Sequence, residues 1–441
     1  MKAEVCAALV AALLVSHAAA MPPDEAREWR YDLHFMIREL ARTHKNLYHT
    51  VSRDDMAAQV ASLDAKIPLL ERHEVIVEMA KIVATVGDGH TNIYPTRDPK
   101  IAFHELPVAF TCFGDKLYVR AAHQSQRSLA GARVLRIGDR DVTDAFAAVK
   151  AIVGRDNDQG ARYWAPYLLA IPEVLHALRI TRTLGDVPLT LMTGQGEATV
   201  VLHPFAPVEI MAGDTATLFN RRDGWIDVRD STGRVDPLWL RGVGNAFHYE
   251  HVGKLLYVQV NQVTNKADES LAHFAQRLRD EIADTRPEKV AIDLRLNRGG
   301  NGTLIIPLIR AIIQSPSIDR KGRLFAITGP ATFSAAQMLA DALEQYTNVT
   351  FVGEPTGSKG NVYGDSRKII LPNSGITVRA SIYHWQDWHP LDRRDAIIPQ
   401  IAAPLTFDAY RNNIDPALEA IEGATPEPEP APSGGRTRNG L

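Results

Sequence analysis

The second half of the chain alternates short apolar runs with stretches of helical periodicity, from Val252 to Tyr410. Each apolar run is long enough for one strand, and glycines or prolines separate it from the helical pattern that follows. Strands that alternate with helices cross over before they pair again, which favours a largely parallel sheet. We therefore predict an α/β fold here, with strands at residues 290–295, 323–327 and 349–353.

A sharp strand-to-helix junction follows the second of these strands, at Ser334. Thr328, Gly329 and Pro330 end the strand, and apolar residues then recur at helical spacing. A serine at this junction exposes its hydroxyl beside the unpaired N–H groups of the helix N-terminus, such as that of Ala335. Ser334 is therefore a candidate nucleophile. A helix N-cap is the alternative, and it is the commoner role of serine at such a position.

Two glycine-flanked loops follow the neighbouring strands. Gly299 and Gly300 come after the first strand, and paired glycines let a backbone N–H approach another group closely, as an oxyanion hole requires. Glu354 and Lys359 lie in the loop after the third strand. If the strands are parallel, both loops meet Ser334 at one edge of the sheet, where α/β proteins place their sites.

Two charged residues at the end of the first strand have a structural interpretation. Asp293 and Arg295 are two positions apart, so they face the same side of a strand and are expected to pair. We assign these two residues to support of the glycine turn. Glu354 is assigned to structural support, and orientation of a base or of the substrate is its alternative role.

These motifs resemble the tail-specific (carboxyl-terminal processing) serine peptidase family, which includes tricorn-type relatives. The resemblance lies in residues 332–337, in the Asp-Leu-Arg-x-Asn-x-Gly-Gly run at 293–300 and in the Gly-Glu-x-Thr-Gly loop at 353–357. Residues 87–91, Gly-Asp-Gly-His-Thr, match a further motif of many bacterial members. The resemblance implies a crotonase-like catalytic core. The strand–turn–strand pattern at residues 131–142 resembles a PDZ-like module, which we place in the α+β region 99–205, and a plain hairpin is the alternative.

The resemblance leaves two candidate general bases for Ser334. The processing branch of the family has a lysine 25 positions after its serine, and Lys359 stands at that distance. Tricorn-type relatives use an upstream histidine, which here corresponds to His90. Imidazole has a suitable intrinsic pKa, whereas a lysine must be buried before it gives up its proton near pH 7. The processing branch orients its lysine with a glutamine four residues later, where this chain has Tyr363. We favour Lys359 by spacing and keep His90 as the rival, with a structural hydrogen bond as its other interpretation.

Composition excludes several other classes of function. The net charge of −3 gives no electrostatic basis for binding nucleic acid or an anionic membrane. There is no phosphate-binding glycine loop, no Cys-x-x-Cys pair and no dinucleotide fingerprint, so no cofactor is expected. The histidine clusters at 248–251 and 384–389 lack the spacing of a zincin. No metal site is predicted, and the second cluster is interpreted as aromatic lining of a substrate cleft.

The first residues have the pattern of a signal peptide. Lys2 precedes an apolar stretch too short to span a bilayer, and three alanines at 18–20 form a small-residue cleavage site. We expect cleavage before Met21 and a periplasmic or secreted protein without stable membrane insertion. Cleavage leaves Cys112 as the one cysteine of the mature chain, and its apolar strand places it in the core.

Length and pattern together suggest several structural regions. The predicted divisions are a signal peptide at 1–20, a helical domain at 21–98, a PDZ-like α+β region at 99–205, a linker with short strands at 206–250, a catalytic core at 251–423 and a disordered tail at 424–441.

The function that these features predict is that of an exported serine endopeptidase. Ser334 attacks the peptide carbonyl, Lys359 or His90 accepts its proton, and N–H groups of Ala335 and of Gly299 or Gly300 bind the oxyanion. The partner is a peptide or protein substrate. A non-catalytic protein that binds peptide or lipid on the same scaffold, and an esterase, are the alternatives.

Overall fold

The computed structural model describes residues 21–209, 219–386 and 389–425. The predicted signal peptide and residues 426–441 of the predicted tail lie outside the described residues. Among the helices of the described part, no segment is both long and apolar enough to cross a membrane.

Helices occur in both halves of the chain. They are α1 (Pro23–Thr43), α2 (Arg53–Lys66), α3 (Arg72–Ala84), α4 (Val142–Lys150), α5 (Asp158–Leu168), α6 (Pro172–Ala177), α7 (Leu238–Arg241), α8 (Leu271–Thr285), α9 (Ile306–Ile313), α10 (Ala335–Tyr346), α11 (Phe407–Arg411) and α12 (Pro416–Gly423).

The strands form two large sheets and two small ones. They are β1 (His104–Glu105), β2 (Val108–Phe113), β3 (Lys116–His123), β4 (Arg133–Ile137), β5 (Arg140–Asp141), β6 (Val187–Thr193), β7 (Gly196–Leu202), β8 (Ala206–Pro207), β9 (Trp225–Asp227), β10 (Phe247–Val252), β11 (Leu255–Val260), β12 (Lys289–Asp293), β13 (Leu324–Thr328), β14 (Thr350–Gly353), β15 (Asn361–Ile370), β16 (Thr377–Gln386) and β17 (Ile401–Ala402).

The sheet of the second half is largely parallel, as the alternating pattern predicts. Its strand order is β10-β11-β12-β13-β14-β17, and every pair from β11 onward is parallel, whereas β10 joins β11 as an antiparallel hairpin. Every residue of β11 and β13 is buried, as expected for central strands covered on both faces. The mixed α/β class is therefore confirmed, and the crotonase-like description of this core stays an interpretation.

Helices cover both faces of this sheet. Apolar residues of α8, α9 and α10, including Phe274, Leu308 and Leu339, pack on one face. Ala417 and Ile421 of α12 pack on the other face. The loops that follow the carboxyl ends of β12, β13 and β14 form the site described below.

A second core joins the N-terminal helices to the antiparallel sheet. It includes Leu33 of α1, Val83 of α3 and Val119 of β3, and it continues to Val378 of the β15–β16 hairpin. This hairpin follows β14 in sequence, yet it packs on the N-terminal half of the chain. The hairpin therefore holds the end of α3, and the loop behind it, against the edge of the parallel sheet. The predicted domain divisions stay a prediction, as does the PDZ-like description of β2 to β7.

Candidate active site

Ser334 occupies a strained junction between β13 and α10. Its backbone has φ +58° and ψ −127°, a left-handed conformation that costs a non-glycine residue on the order of 1–3 kcal/mol. Its side chain makes no capping hydrogen bond to the helix. The N-cap interpretation therefore does not describe this serine. A strained turn that lifts a serine hydroxyl out of the strand is the arrangement of nucleophile elbows.

His90 is the hydrogen-bond partner of this hydroxyl. Its Nε2 lies 2.9 Å from Ser334 Oγ, although 244 positions separate the two residues. The imidazole stacks on the Phe333 ring with a centroid distance of 4.5 Å. This contact holds the plane of the imidazole. A base within hydrogen-bond reach of a serine hydroxyl is the arrangement that activates a serine nucleophile.

Asp88 fixes the loop that carries His90. Its Oδ1 accepts hydrogen bonds from the backbone N–H of His90 and of Thr91 and from Ser381 Oγ, at 2.9, 2.7 and 2.8 Å. Its Oδ2 lies 2.8 Å from His44 Nε2. Burial acts to raise the pKa of Asp88, but the hydrogen bond and charge of His44 and the Ser381 hydroxyl outweigh it, so the pKa is lowered. In the sequence this aspartate is marked only as part of the Gly-Asp-Gly-His-Thr motif at residues 87–91.

Asp156 joins the His90 loop to the Lys359 loop. Its Oδ1 accepts the N–H of Gly89 at 2.8 Å, and its Oδ2 accepts the hydroxyl of Ser358 at 2.6 Å. Burial raises the pKa of Asp156, against the opposing charge of His90. No local sequence motif marks this residue, because both of its partners come from remote segments.

The second nitrogen of His90 lacks a direct carboxylate partner. Among the described residues, His90 Nδ1 is buried and has no hydrogen-bond partner. Asp88 and Asp156 nevertheless interact electrostatically with the imidazole. The site therefore differs from a serine–histidine–aspartate triad in which the carboxylate accepts the Nδ1 proton.

The side-chain amine of Lys359 pairs with Asp395, whereas the hydroxyl of Ser334 bonds to His90. Its Nζ lies 3.2 Å from Asp395 Oδ1, and the lysine and aspartate side chains are 39% and 77% exposed. The amine is therefore directed toward Asp395 in a solvent-accessible pair, whereas His90 Nε2 contacts the serine hydroxyl. The geometry thus favours His90 over Lys359, the reverse of the order that residue spacing suggests. Tyr363 accepts a hydrogen bond from Asn46 and stacks on His384.

The predicted oxyanion donors are not equivalent. A Cβ on Gly299 would lie 2.7 Å from Ser334 Cβ, so only glycine fits here, and φ is +108°. The Gly299 N–H, however, donates to Asn297 Oδ1 at 2.8 Å. Gly300 lines the cavity at Ser334. Ala335 is the first residue of α10, where backbone N–H groups lack intrahelical acceptors. The geometry therefore favours Gly300 and Ala335 and assigns Gly299 to close packing.

Two cavities meet at the Ser334–His90 pair. One, of about 250 Å³, extends from this pair to Met338, Val362 and Trp385. Trp385 thus lines the cleft, as predicted for the second histidine cluster. The other, of about 190 Å³, extends past Phe333 to a group of arginines, Arg97, Arg298 and Arg379. A chain lying across Ser334 could place groups in both cavities.

A third cavity, of about 90 Å³, is lined by neither Ser334 nor His90. Glu354 and Cys112 line it, and Arg162 lies 3.5 Å from Glu354 Oε1. Burial raises the pKa of the Cys112 thiol to about 12, as expected for a thiol in apolar surroundings.

The predicted pair at the end of β12 is confirmed. Arg295 Nε lies 2.8 Å from Asp293 Oδ2, and Arg295 also pairs with Asp415. This buried network supports the base of the glycine loop.

The chain shares its fold with solved structures of mature CPAF. Mature CPAF complexed with lactacystin matches with a TM-score of 0.55 and 12% identity over 90% of this chain and 97% of that chain. Mature CPAF in a second structure matches with a TM-score of 0.53 and 12% identity, over 90% of this chain and 96% of that chain. The photosystem II D1 C-terminal processing protease matches with a TM-score of 0.40 and 13% identity, over 89% of this chain and 96% of that chain. No protein-family description and no characterised protein sequence matches. The resemblance to tail-specific peptidases is thus confirmed at the level of the fold.

Proposed function

We propose that this protein is a serine endopeptidase in which Ser334 is the nucleophile and His90 the general base. The observation that carries the proposal is the 2.9 Å contact between His90 Nε2 and the hydroxyl of a serine held in a strained elbow. The motif resemblance and the fold shared with mature CPAF favour a peptide bond as the target.

The reaction begins when His90 Nε2 takes the proton of Ser334 Oγ and Oγ attacks the peptide carbonyl. The N–H groups of Ala335 and Gly300 receive the oxyanion at the helix N-terminus. The imidazolium then protonates the leaving amine, and an acyl-enzyme on Ser334 remains. Water, deprotonated by the same imidazole, attacks this ester, and the proton returns to Oγ as the acid product leaves.

A buried carboxylate stabilises the charged imidazole during these steps. Asp88 is 2% exposed, its pKa is lowered, and it interacts electrostatically with His90. A buried charge is poorly screened by solvent, so Asp88 acts on the imidazolium without a direct hydrogen bond to Nδ1. Asp156, whose pKa is raised by burial, instead holds the His90 loop through the Gly89 N–H.

The test is acyl labelling and peptide cleavage by wild type, by Ser334→Ala and by Ser231→Ala, which removes an exposed serine that lines neither cavity at Ser334. We expect a fluorophosphonate to label wild type and Ser231→Ala but not Ser334→Ala. Cleavage of a peptide library should fall by about 10³-fold or more in Ser334→Ala. Near-normal turnover by Ser334→Ala would exclude the assigned nucleophile.

Two other outcomes would redirect the proposal. Cleavage of small acyl esters without any peptide cleavage would indicate an esterase. Absence of both labelling and cleavage in the wild type, with retained peptide binding, would indicate a binding protein on the same scaffold.

A further inference from the structure

The cavity on the Phe333 side of Ser334 is lined by several arginines. Arg97, Arg298 and Arg379 all line it, together with His90 and Ser334. Asp365 is the carboxylate residue among its lining groups, and its side chain is exposed. The guanidinium groups of Arg298 and Arg379 therefore lie in the same cavity as the reacting atoms.

Arg298 is the most informative of the three arginines. It is 8% exposed, and its Nε is buried without a hydrogen-bond partner among the described residues. No ion pair of Arg298 with a carboxylate occurs in the described part of the chain. A buried cation without an anion carries a penalty of several kcal/mol. A site that retains one next to a nucleophile is therefore matched to an anion that arrives with the ligand.

Aromatic rings hold the Arg298 guanidinium in place. It lies 4.5 Å from the ring centroids of both Tyr163 and Trp164 and 5.2 Å from that of Phe333. Such contacts are worth about 0.5–2 kcal/mol each and offset part of the desolvation. They fix the plane of the guanidinium where it lines the cavity, as pre-organised recognition of an anion requires.

Arg379 and Arg97 complete the group from other segments. The backbone of Arg379 forms a β-bridge with Asn92, two residues after His90, and its Nη1 lies 3.5 Å from Ser366 Oγ. Arg97 packs over the Tyr94 ring at 5.3 Å. Burial raises the pKa of Tyr94, and the charges of all three arginines oppose that effect. The three charges therefore act on one small region.

We propose that this cavity binds a carboxylate of the substrate next to the scissile bond. The inference rests on the proposed function, and it names the substrate class, a peptide with an acidic group adjoining the cleavage site. Guanidinium groups present paired N–H donors that match the two oxygens of a carboxylate. The carboxylate can belong to a Glu or Asp side chain or to the free carboxyl end of a short substrate, and the experiment separates these sources.

The test compares matched peptides that carry Glu or Gln on either side of the scissile bond, each with a free or an amidated C-terminus. For wild type we expect kcat/KM to be about 10- to 100-fold higher for the acidic peptide, the range of a hydrogen-bonded charge. Dependence on the Glu side chain assigns the side-chain source, and dependence on the free C-terminus assigns the terminal source.

Two variants connect this preference to the cavity. Arg379→Gln should reduce the ratio of kcat/KM for acidic over neutral peptides about tenfold. Arg367→Gln removes an exposed arginine from the same hairpin and should leave the ratio unchanged. Arg298→Gln should reduce the ratio further, with its folding checked by circular dichroism.

Binding to the Ser334→Ala protein separates this inference from the proposed function. Peptide cleavage by wild type with a kcat/KM that depends neither on the Glu side chain nor on the free C-terminus would exclude the proposed carboxylate site. That result would leave the proposed peptidase activity intact. If wild type cleaves nothing, calorimetric binding of the Glu peptide over the Gln peptide to Ser334→Ala still supports the carboxylate site. Equal binding of the two peptides overturns it.

Discussion

The loops at residues 87–91 and 354–360 both lie beside Ser334, and both present a group that could act as a base. The first brings His90 Nε2 to 2.9 Å from the serine hydroxyl. The second turns Lys359 toward Asp395, in a pair that solvent reaches. Sequence spacing favoured the second loop, and hydrogen bonding selects the first. A fixed distance along the chain does not determine where the end of a long, flexible side chain lies.

The two loops differ in how their functional residue is held. The His90 loop is anchored two residues before His90 by the buried Asp88, which accepts hydrogen bonds from two other segments, at His44 and Ser381. The Lys359 loop is anchored at Ser358, but the lysine side chain itself extends outward. Asp156 ties the loops together. In the Lys359 loop the hydrogen bonds therefore hold Ser358 but not the side chain of Lys359. In the His90 loop the imidazole itself is held, through its contacts with Ser334 and Phe333.

The largest expected effect that sharpens this comparison is that of His90→Ala. Loss of the base should lower kcat by about 10²–10⁴-fold, the usual contribution of general base catalysis. Steady-state kinetics on the best library peptide measures the change, and His273→Ala, an exposed histidine on α8, serves as the control. A His90→Ala enzyme with normal kcat would remove the histidine from the mechanism.

Asp156→Ala should affect both loops at once. It removes acceptors for the Gly89 N–H and the Ser358 hydroxyl, and each buried group left unsatisfied costs about 1–3 kcal/mol. We expect a lower midpoint in urea denaturation and reduced kcat/KM. The exposed neighbour Asp158→Ala is the control for general effects of charge removal.

Asp156→Asn should be much milder, because the amide can accept from Gly89 and donate to Ser358. The folded-state pKa of Asp156 is raised, so the neutral form is favoured by the fold at low pH and that advantage is lost as pH rises through the folded-state pKa. The free energy of unfolding of Asp156→Asn near pH 7 should therefore be close to that of wild type. A loss equal to that of Asp156→Ala would show that the charge itself is required.

Asp88→Asn tests the anchor of the His90 loop through its pH dependence. The folded-state pKa of Asp88 is lowered, so its stabilisation is present above the unfolded-state value of about 3.9 and is lost as pH falls through the folded-state pKa. Wild type should exceed the variant by about 1–3 kcal/mol in unfolding free energy at pH 7. The difference should shrink below about pH 4. A difference that is constant with pH would contradict the anchoring role of the carboxylate.

Lys359→Met should have the smallest effect. The lysine forms an exposed ion pair, and such pairs contribute about 0–1 kcal/mol to stability. We expect kcat/KM within about threefold of wild type, since less than 1 kcal/mol separates such rates. Loss of activity as severe as that of Ser334→Ala would restore the lysine as the base and reverse the comparison of the two loops.

Local pattern was enough to predict the parallel sheet, the elbow and the glycine turn. Strand and helix periodicity gave the order of elements, and the break at Thr328 to Pro330 placed Ser334 at a helix start, because these features depend on neighbouring residues alone. The same reasoning could not distinguish a capping serine from an uncapped one. That difference lies in the backbone angles and in the partner of the hydroxyl.

The sequence by itself therefore determined the scaffold and the residue that stands at its elbow. Only the tertiary structure decided which base reaches that residue, that Asp156 joins the two loops, and that Arg298 and Arg379 converge beside them. These contacts join segments that lie far apart in the chain. They form because the β15–β16 hairpin packs on the N-terminal core, and such long-range packing leaves no periodic signal in the residues that it brings together.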